Sequence, residues 1–338
     1  MYQKLGTVTL RSGETVEAGV VKGPEPAWAE RLVKLLWHKG DPWNWQNARL
    51  LEADQGLDAY FYVLHRDGKP LANIMTVENA GVGHFGHVWT EPADRQKGAS
   101  SLLMALQMEH FTARGGQALF LGTGYDSVAY HMYARFGFQS IEPKSGYMAY
   151  YCTSQGDFEA RYFARPTTAA EVMIQPLAWP HWPASAPLFL GDFPGVVRCV
   201  RGGIFGRESS EGGLLPLLLE AEDRQKQGQA PATVVLQQRT SGAVLGLATG
   251  HWHPLWPDHY LLDLYCHPAY WEHAPALLNA LPLPPALRTV IYADSSDQVK
   301  QKVLTTVGFQ AVATLPNWLT VDPSRSRPVD VVIFAREG

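Results

Sequence analysis

The stretch from Glu91 to Phe111 leaves a chain few ways to fold. Just before it, His84 to Thr90 has the aromatic and β-branched content of a strand, and Pro92 stops strand pairing. After the short basic loop of Arg95, Gln96, Lys97 and Gly98, the residues Met104, Met108 and Phe111 recur at i, i+4 and i+7, with Leu103 and Leu106 beside them. That spacing predicts a helix that is apolar around most of its circumference, and hence buried with a fixed start. Strand, tight loop and buried helix in direct succession point the first unpaired helical N–H groups into the loop, which makes it an anion site.

At 338 residues the chain is long for one hydrophobic core, and two domains are expected. The polar stretch from Gln155 to Thr168 marks the boundary, giving domains 1–155 and 169–338. A net charge of -4 without long runs of one sign carries no footprint for nucleic acid. Cys152, Cys199 and Cys266 lie far apart, which excludes a disulfide framework and a cysteine zinc site and fits a reducing cytoplasm. The first residues lack an apolar signal core and no apolar run reaches membrane-spanning length, so neither export nor membrane insertion is expected.

The first half reads as α/β in an α+β order, a mostly antiparallel mixed sheet flanked by helices. Thr7 to Leu10 and Thr15 to Val21 form a hairpin, and Glu25 to Gly40 a helix with Trp28, Leu32, Leu35 and Leu36 on one face. Trp43 and Trp45 then fall in a polar loop, either as a rim of the core or as a wall for substrate. Ala59 to Leu64 and Leu71 to Val77 are strands joined by an Asp-Gly turn. After the central helix come a strand at 118–121, a helix at 127–136 and two closing strands. The second half repeats this order loosely, but the glycine-rich segment from Arg201 to Gly213 has no counterpart and reads as a specialised loop, not a strand.

Arg95-x-x-Gly98-x-Ser100, preceded by Thr90-Glu91-Pro92, resembles the acyl-CoA loop signature of the GNAT superfamily of N-acetyltransferases. Further on, Asp126, Ala129, Tyr133, Gly137 and Phe138 are spaced like a second motif of that family. The resemblance covers residues 1–155 and implies acetyl-CoA as cosubstrate. Its pyrophosphate would be held by amides from Gln96 through Lys97, Gly98 and Ala99 to Ser100, with Gly98 allowing close approach and Ser100 free to cap the helix. Arg95 and Lys97 either add charge there or remain solvated cations. The resemblance also assigns Val88, Trp89 and Thr90, on a strand splayed from its neighbour, and Asp126 to the cofactor. A backbone N–H near Trp89 would polarise the thioester carbonyl.

Tyr133 stands where the family places its general acid, or else is a core tyrosine. For the base, His84 falls near the family position and His87 on the opposite strand face, with Glu78 a third candidate; each histidine reads equally as a surface or hydrogen-bonded group. The implied reaction is direct attack by a primary amine of a small molecule or peptide in a ternary complex. The alternative is an acyl-CoA-binding regulatory or scaffold protein without chemistry. A monomer or homodimer is expected, with no nucleic-acid or membrane partner.

Aligning Cys266-His267-Pro268 with Thr90-Glu91-Pro92 gives an offset of 176 residues through the loop. Trp271 then replaces Arg95, Glu272 replaces Gln96, Ala274 replaces Gly98 and Pro275 replaces Ala99, while Leu304 stands for Tyr133. These changes remove a cation, add an acid and delete an amide, so the second domain is expected to be a degenerate copy without a CoA loop. His251, His253, His259 and His267 lack acidic or thiol partners at diagnostic spacing, and no metal is expected.

Overall fold

The computed structural model describes residues 1–165, 168, 171–321 and 326–337. The chain forms two compact units, Met1–Ser140 with Met148–Phe158, and Ile141–Tyr147 with Glu159–Gly338. The division falls inside a helix, Gln155–Tyr162, where the sequence suggested a linker. Residues 166–167 of that expected boundary lie outside the described residues, as do 169–170 at the start of the expected second domain.

The first unit runs β1 (Tyr2–Thr9), β2 (Thr15–Lys22), α1 (Pro26–Leu36), α2 (Trp43–Glu52), β3 (Asp58–Arg66), β4 (Lys69–Asn79) and β5 (Val82–Thr90). It continues with α3 (Ala99–Ala113), β6 (Ala118–Gly122), α4 (Val128–Arg135), β7 (Gln139–Ser140) and β8 (Tyr147–Tyr151), followed by α5 (Gln155–Tyr162). Its sheet has the order β1-β2-β3-β4-β5-β6-β8-β7. Successive strands from β1 to β5 are antiparallel, whereas β5 and β6 are parallel. One face carries Tyr62, Ile74 and Phe85 against Leu103, Met104 and Phe111 of α3. Each such fully buried side chain contributes about 1.5–3 kcal/mol, which explains why the predicted all-round apolar helix sits here. Alternation puts Asn73, Met75 and Val77 on the opposite face.

Two features correct the sequence reading. Trp43 and Trp45 are on helix α2, not in a loop. Being two residues apart on a helix, they do not share a face. Glu78 is fully buried and held by Arg114, with Nη1 donating to Oε2 at 2.6 Å and Nη2 to Oε1, while Thr76 Oγ1 donates to Oε1 at 2.6 Å. A carboxylate committed to a guanidinium is structural, so Glu78 drops out as a base.

The second unit runs β9 (Val172–Pro176), α6 (His181–Ala184), α7 (Ala186–Leu190), β10 (Val197–Cys199), β11 (Ile204–Phe205), α8 (Ser210–Gly213) and α9 (Leu215–Lys226). Then come β12 (Thr233–Gln238), β13 (Val244–Trp252), β14 (His259–Cys266), α10 (Ala274–Asn279), β15 (Arg288–Asp294), α11 (Gln298–Thr306), β16 (Gln310–Thr320) and β17 (Pro328–Glu337). Read from β9, its sheet has the order β9-β12-β13-β14-β15-β17-β16, which repeats β2-β3-β4-β5-β6-β8-β7 strand for strand. The parallel pair again falls at the same place, between β14 and β15. The glycine-rich segment is not a simple loop, since it contains β11 and α8. Among the described residues, no helix is long and apolar enough to cross a membrane.

Arg114→Met should cost about 3–5 kcal/mol by stranding the buried Glu78 carboxylate. Adding Glu78→Leu should restore most of the loss. Urea denaturation of the single and double variants measures both.

Candidate active site

The site begins where β5 and β6 part. Their pairing is limited to Val82 with Ala118, Gly83 with Leu119 and His84 with Phe120, after which β5 continues without β6. On the other side of β5, the register with β4 slips between Asn73 and Met75, which pair with Trp89 and Gly86. The extra β5 residue lies at His87 and Val88, and His87 takes a left-handed φ of 51°. A non-glycine residue in that region is strained and persists only where its surroundings hold it. Here Asn73 Nδ2 donates to the His87 carbonyl at 2.9 Å.

This bulge alters the histidine assignment. His84 pairs with Val77, on the face opposite Phe85. Regular alternation would put His87 on the other side, as the sequence suggested. Instead its ring meets Trp43 of α2 edge-on, with centroids 5.3 Å apart, on the face that carries Asn73 and Met75. Burial pushes the His87 pKa down to about 3, with Lys39 and His38 repelling a proton further. An imidazole held there is neutral and too weakly basic for a general base near neutral pH. His84 is fully buried.

Beyond Thr90 the loop is built from backbone. Gln96 and Gly98 have φ of 62° and 84°, and Gly98 is the residue before the first turn of α3. The first backbone bond of the helix is Leu102 N–H to Gly98 O at 3.1 Å. Among the described residues, none of the N–H groups from Gln96 to Ser101 donates to a backbone carbonyl. Successive amides around left-handed residues at a helix N-terminus form a concave anion nest. Gly98 is needed first for its backbone: a Cβ there would meet only the Arg11 side chain, 3.5 Å from Nε, but φ would be strained.

The charged side chains are arranged differently from a pair of free cations. Lys97 Nζ donates to Asp94 Oδ1 at 2.9 Å, and Asp94 also takes both Nη groups of Arg66, at 2.7 and 2.9 Å. These partners hold the Asp94 carboxyl well below the usual carboxylate range. Arg95 lies over the Trp89 ring at 4.6 Å with Nε donating to Thr90 O, and Trp89 stacks on His38 at 3.6 Å. Ser100 does not cap the helix; its hydroxyl bonds Thr90 Oγ1 at 2.9 Å, tying the strand end to the helix start. Arg11 was not evident from sequence. It belongs to the β1–β2 turn and donates its backbone N–H to Lys97 O at 3.0 Å, which leaves an exposed guanidinium beside Gly98. No linear motif links residues so far apart.

Tyr133 is buried on α4, edge-on to Phe85 of β5 with centroids 5.3 Å apart. Asp126 is exposed, has φ of 58° and bonds His131 Nε2 at 2.8 Å. Ser127 caps α4 by accepting from Tyr130 N–H.

Residues 28–138 match the acetyltransferase (GNAT) family. The first unit is a GNAT-family acetyltransferase domain. No curated protein matches the chain. Similar solved structures include an N-acetyltransferase from Staphylococcus aureus Mu50, at 16% identity and TM-score 0.37, covering 49% of this chain and 98% of that one. A GCN5-related N-acetyltransferase from Kribbella flavida is 16% identical with TM-score 0.35, covering 51% and 100%. A Salmonella typhimurium protein described as an acetyltransferase candidate, solved with its cofactor acetyl-CoA, is 17% identical with TM-score 0.36, covering 49% and 93%.

The second unit shows the same fork with its own chain bound across it. β14 pairs with β15 only from His259 to Leu262. Asp263, the next residue, accepts from Val200 N–H and Arg201 N–H, both at 2.8 Å. Asp294, the last residue of β15, accepts from Val196 N–H at 2.7 Å and Val197 N–H at 2.8 Å. Lys300 Nζ donates to Val197 O at 2.9 Å. The segment around β10 is thus bound across the fork by buried carboxylates. A continuous helical start replaces the nest, since Pro268–His273 leads straight into α10 with Ala274 at φ of -58°. His253, His259 and His267 bond Tyr292, Pro257 and Ala269 respectively, and among the described residues no group of three metal-ligating side chains converges.

His87 makes stability pH-dependent in a defined direction. Its folded pKa lies below the unfolded value near 6.5, so the unfolded chain binds more protons between about pH 6.5 and 3 and acid destabilises the fold there. The fall in urea midpoint over that window should be smaller in His87→Gln.

Proposed function

We propose that the first unit transfers an acetyl group from acetyl-CoA to a primary amine of a small molecule or peptide by direct attack, without a covalent acyl-enzyme. The observation that carries this reading is the run of N–H groups from Gln96 to Ser101 at the mouth of the β5–β6 fork. The residues fit the cosubstrate: the nest suits a pyrophosphate, and Arg11 adds a cation from outside the motif. When bound, acetyl-CoA supplies an activated acyl thioester.

The chain's own residues then have separable roles. Val88, Trp89 and Thr90 present the β5 backbone past the fork, where Gly86 to Trp89 lie next to the bulge. A fixed N–H on this stretch would polarise the thioester carbonyl. Tyr133 would donate the proton that a leaving thiolate requires. Asp126, just before α4, would contribute to the cosubstrate's site. For the proton released by the amine, His84 stands at the last residue pair of the fork, and His87, which burial holds far below neutral pH, is not assigned. Reactant alignment would supply much of the rate.

The second unit is proposed as a degenerate copy over 169–338, with the fork closed by its own chain and no phosphate nest. Its carboxylates Asp263 and Asp294 would repel the cosubstrate's phosphates.

Acetyl-CoA should raise the melting temperature of the whole chain, and incubation with an amine panel should release CoA thiol. Tyr133→Phe should lower turnover by about 100-fold or more while keeping the acetyl-CoA melting shift. A protein that acetyl-CoA does not stabilise would overturn the reading; one that it stabilises but that acetylates no amine would be the non-catalytic acyl-CoA-binding protein.

A further inference from the structure

The interface between α2 and the β4–β5 bulge is polar where a packed core should be apolar. Asn44, Gln46 and Asn47 of α2, Asn73 of β4 and His87 of β5 are all nine-tenths or more buried. Yet Asn44 Oδ1, Gln46 Oε1, Asn47 Oδ1 and Nδ2, Asn73 Oδ1 and both ring nitrogens of His87 have no hydrogen-bond partner. Buried polar groups are ordinarily satisfied, so a cluster of unsatisfied ones marks a place built for something else. The elements meet here: Gln46 Nε2 lies 3.4 Å from Met75 Sδ, two residues along β4 from Asn73, and Trp43 touches the His87 ring. Trp43, Gln46 and Asn47 follow helical i, i+3, i+4 spacing and so share one side of α2.

The orientation of two amides is fixed by what they bond. Asn44 Nδ2 donates to Trp37 O at 3.1 Å, and Asn73 Nδ2 donates to His87 O at 2.9 Å. A carbonyl can only accept, so neither amide can be flipped, and each leaves an oxygen over. Gln46 faces a thioether, a weak acceptor, through its Nε2. Asn47 offers a donor nitrogen and an acceptor oxygen, and neutral His87 one donor and one acceptor nitrogen. Unused acceptors therefore outnumber unused donors, and none of these five side chains is charged.

We propose that these residues recognise the acceptor, and that it is a small donor-rich amine, an ammonium bearing further N–H or O–H groups, held by the oxygens of Gln46, Asn47 and Asn73 beside His87. This rests on the acetyltransferase reading above and names the substrate class of that site. Trp43 contributes a wall against the His87 ring. Trp45, two residues on, is directed elsewhere on α2.

The test measures amine binding to the full chain by calorimetry, with and without CoA, using 1,3-diamino-2-propanol and glucosamine against phenethylamine. The donor-rich probes should bind and phenethylamine should not. Asn47→Leu is the informative variant, because Asn47 holds no backbone group in place among the described residues. It should weaken binding of the donor-rich probes by about ten-fold or more while raising the ligand-free melting temperature, since an unmet buried amide is replaced by an apolar isostere. Preference for phenethylamine, failure of all three probes to bind, or an Asn47→Leu protein that melts lower and binds unchanged would each overturn the proposal. Because binding is read without acetyl transfer, a chain that acetyl-CoA does not stabilise fails the functional reading by a separate measurement.

Discussion

A parallel pair of strands that parts after three residue pairs sets the conditions for everything else in the first unit. Past His84, β5 has β4 on one side and no β6 on the other, so its backbone groups on that edge need another partner. The same departure gives the chain room to turn through Glu91 to Gly98 and start α3 with its amides aimed at the gap. Thr90 and Ser100 tie the two ends of that turn together, and Asp94 anchors its middle to Arg66 and Lys97. The loop's cations thus serve mainly to stiffen it, and the anion-binding capacity resides in N–H groups that no salt bridge can neutralise.

The fork also explains the strain at His87. One residue inserted into β5 rotates the strand so that His87 leaves the α3 face and joins the α2 face, at the cost of a left-handed φ. Asn73, bonded to the His87 carbonyl, sustains the distortion. Its side-chain oxygen is then unmet, as are those of Asn44, Gln46 and Asn47 on α2. Strain and unmet polarity concentrate on a few neighbouring residues, which is how a fold carries function at some cost in stability.

The sequence made the loop legible because its chemistry is local: Pro92, Gly98 and the apolar helix that follows act within a few residues of one another. It hid α2 for a matching reason. A helix is recognised by an apolar stripe, and α2 buries Asn44, Gln46 and Asn47 where that stripe should be, so Trp43 and Trp45 read as loop residues. The bulge was illegible because register depends on the partner strand, and a slip of one residue reverses every side chain beyond it. β16 offers no pattern to read, because it is an edge strand exposed along nearly its whole length, without the alternation that marks a half-buried one. Arg11 lies far from Gly98 in sequence and is joined to the loop only by the fold.

The two units amount to a comparison of one fork under two electrostatic regimes. β14 pairs with β13 without a register shift, so the second fork has no counterpart of the β5 bulge, and the residue just past its parallel pairing is a carboxyl, Asp263, where the first fork has a neutral His87 ring. Asp263 and Asp294 are buried, and each is satisfied by two amides of the segment around β10, so the carboxylates require that segment as much as it requires them. Removing the segment would strand two buried charges, a far larger penalty than exposing a neutral edge. The second fork is thus closed by a mutual dependence. The first is bordered by an uncharged imidazole and amides, which tolerate lacking a partner. An unpaired polar atom on that border costs a hydrogen bond and not a buried charge.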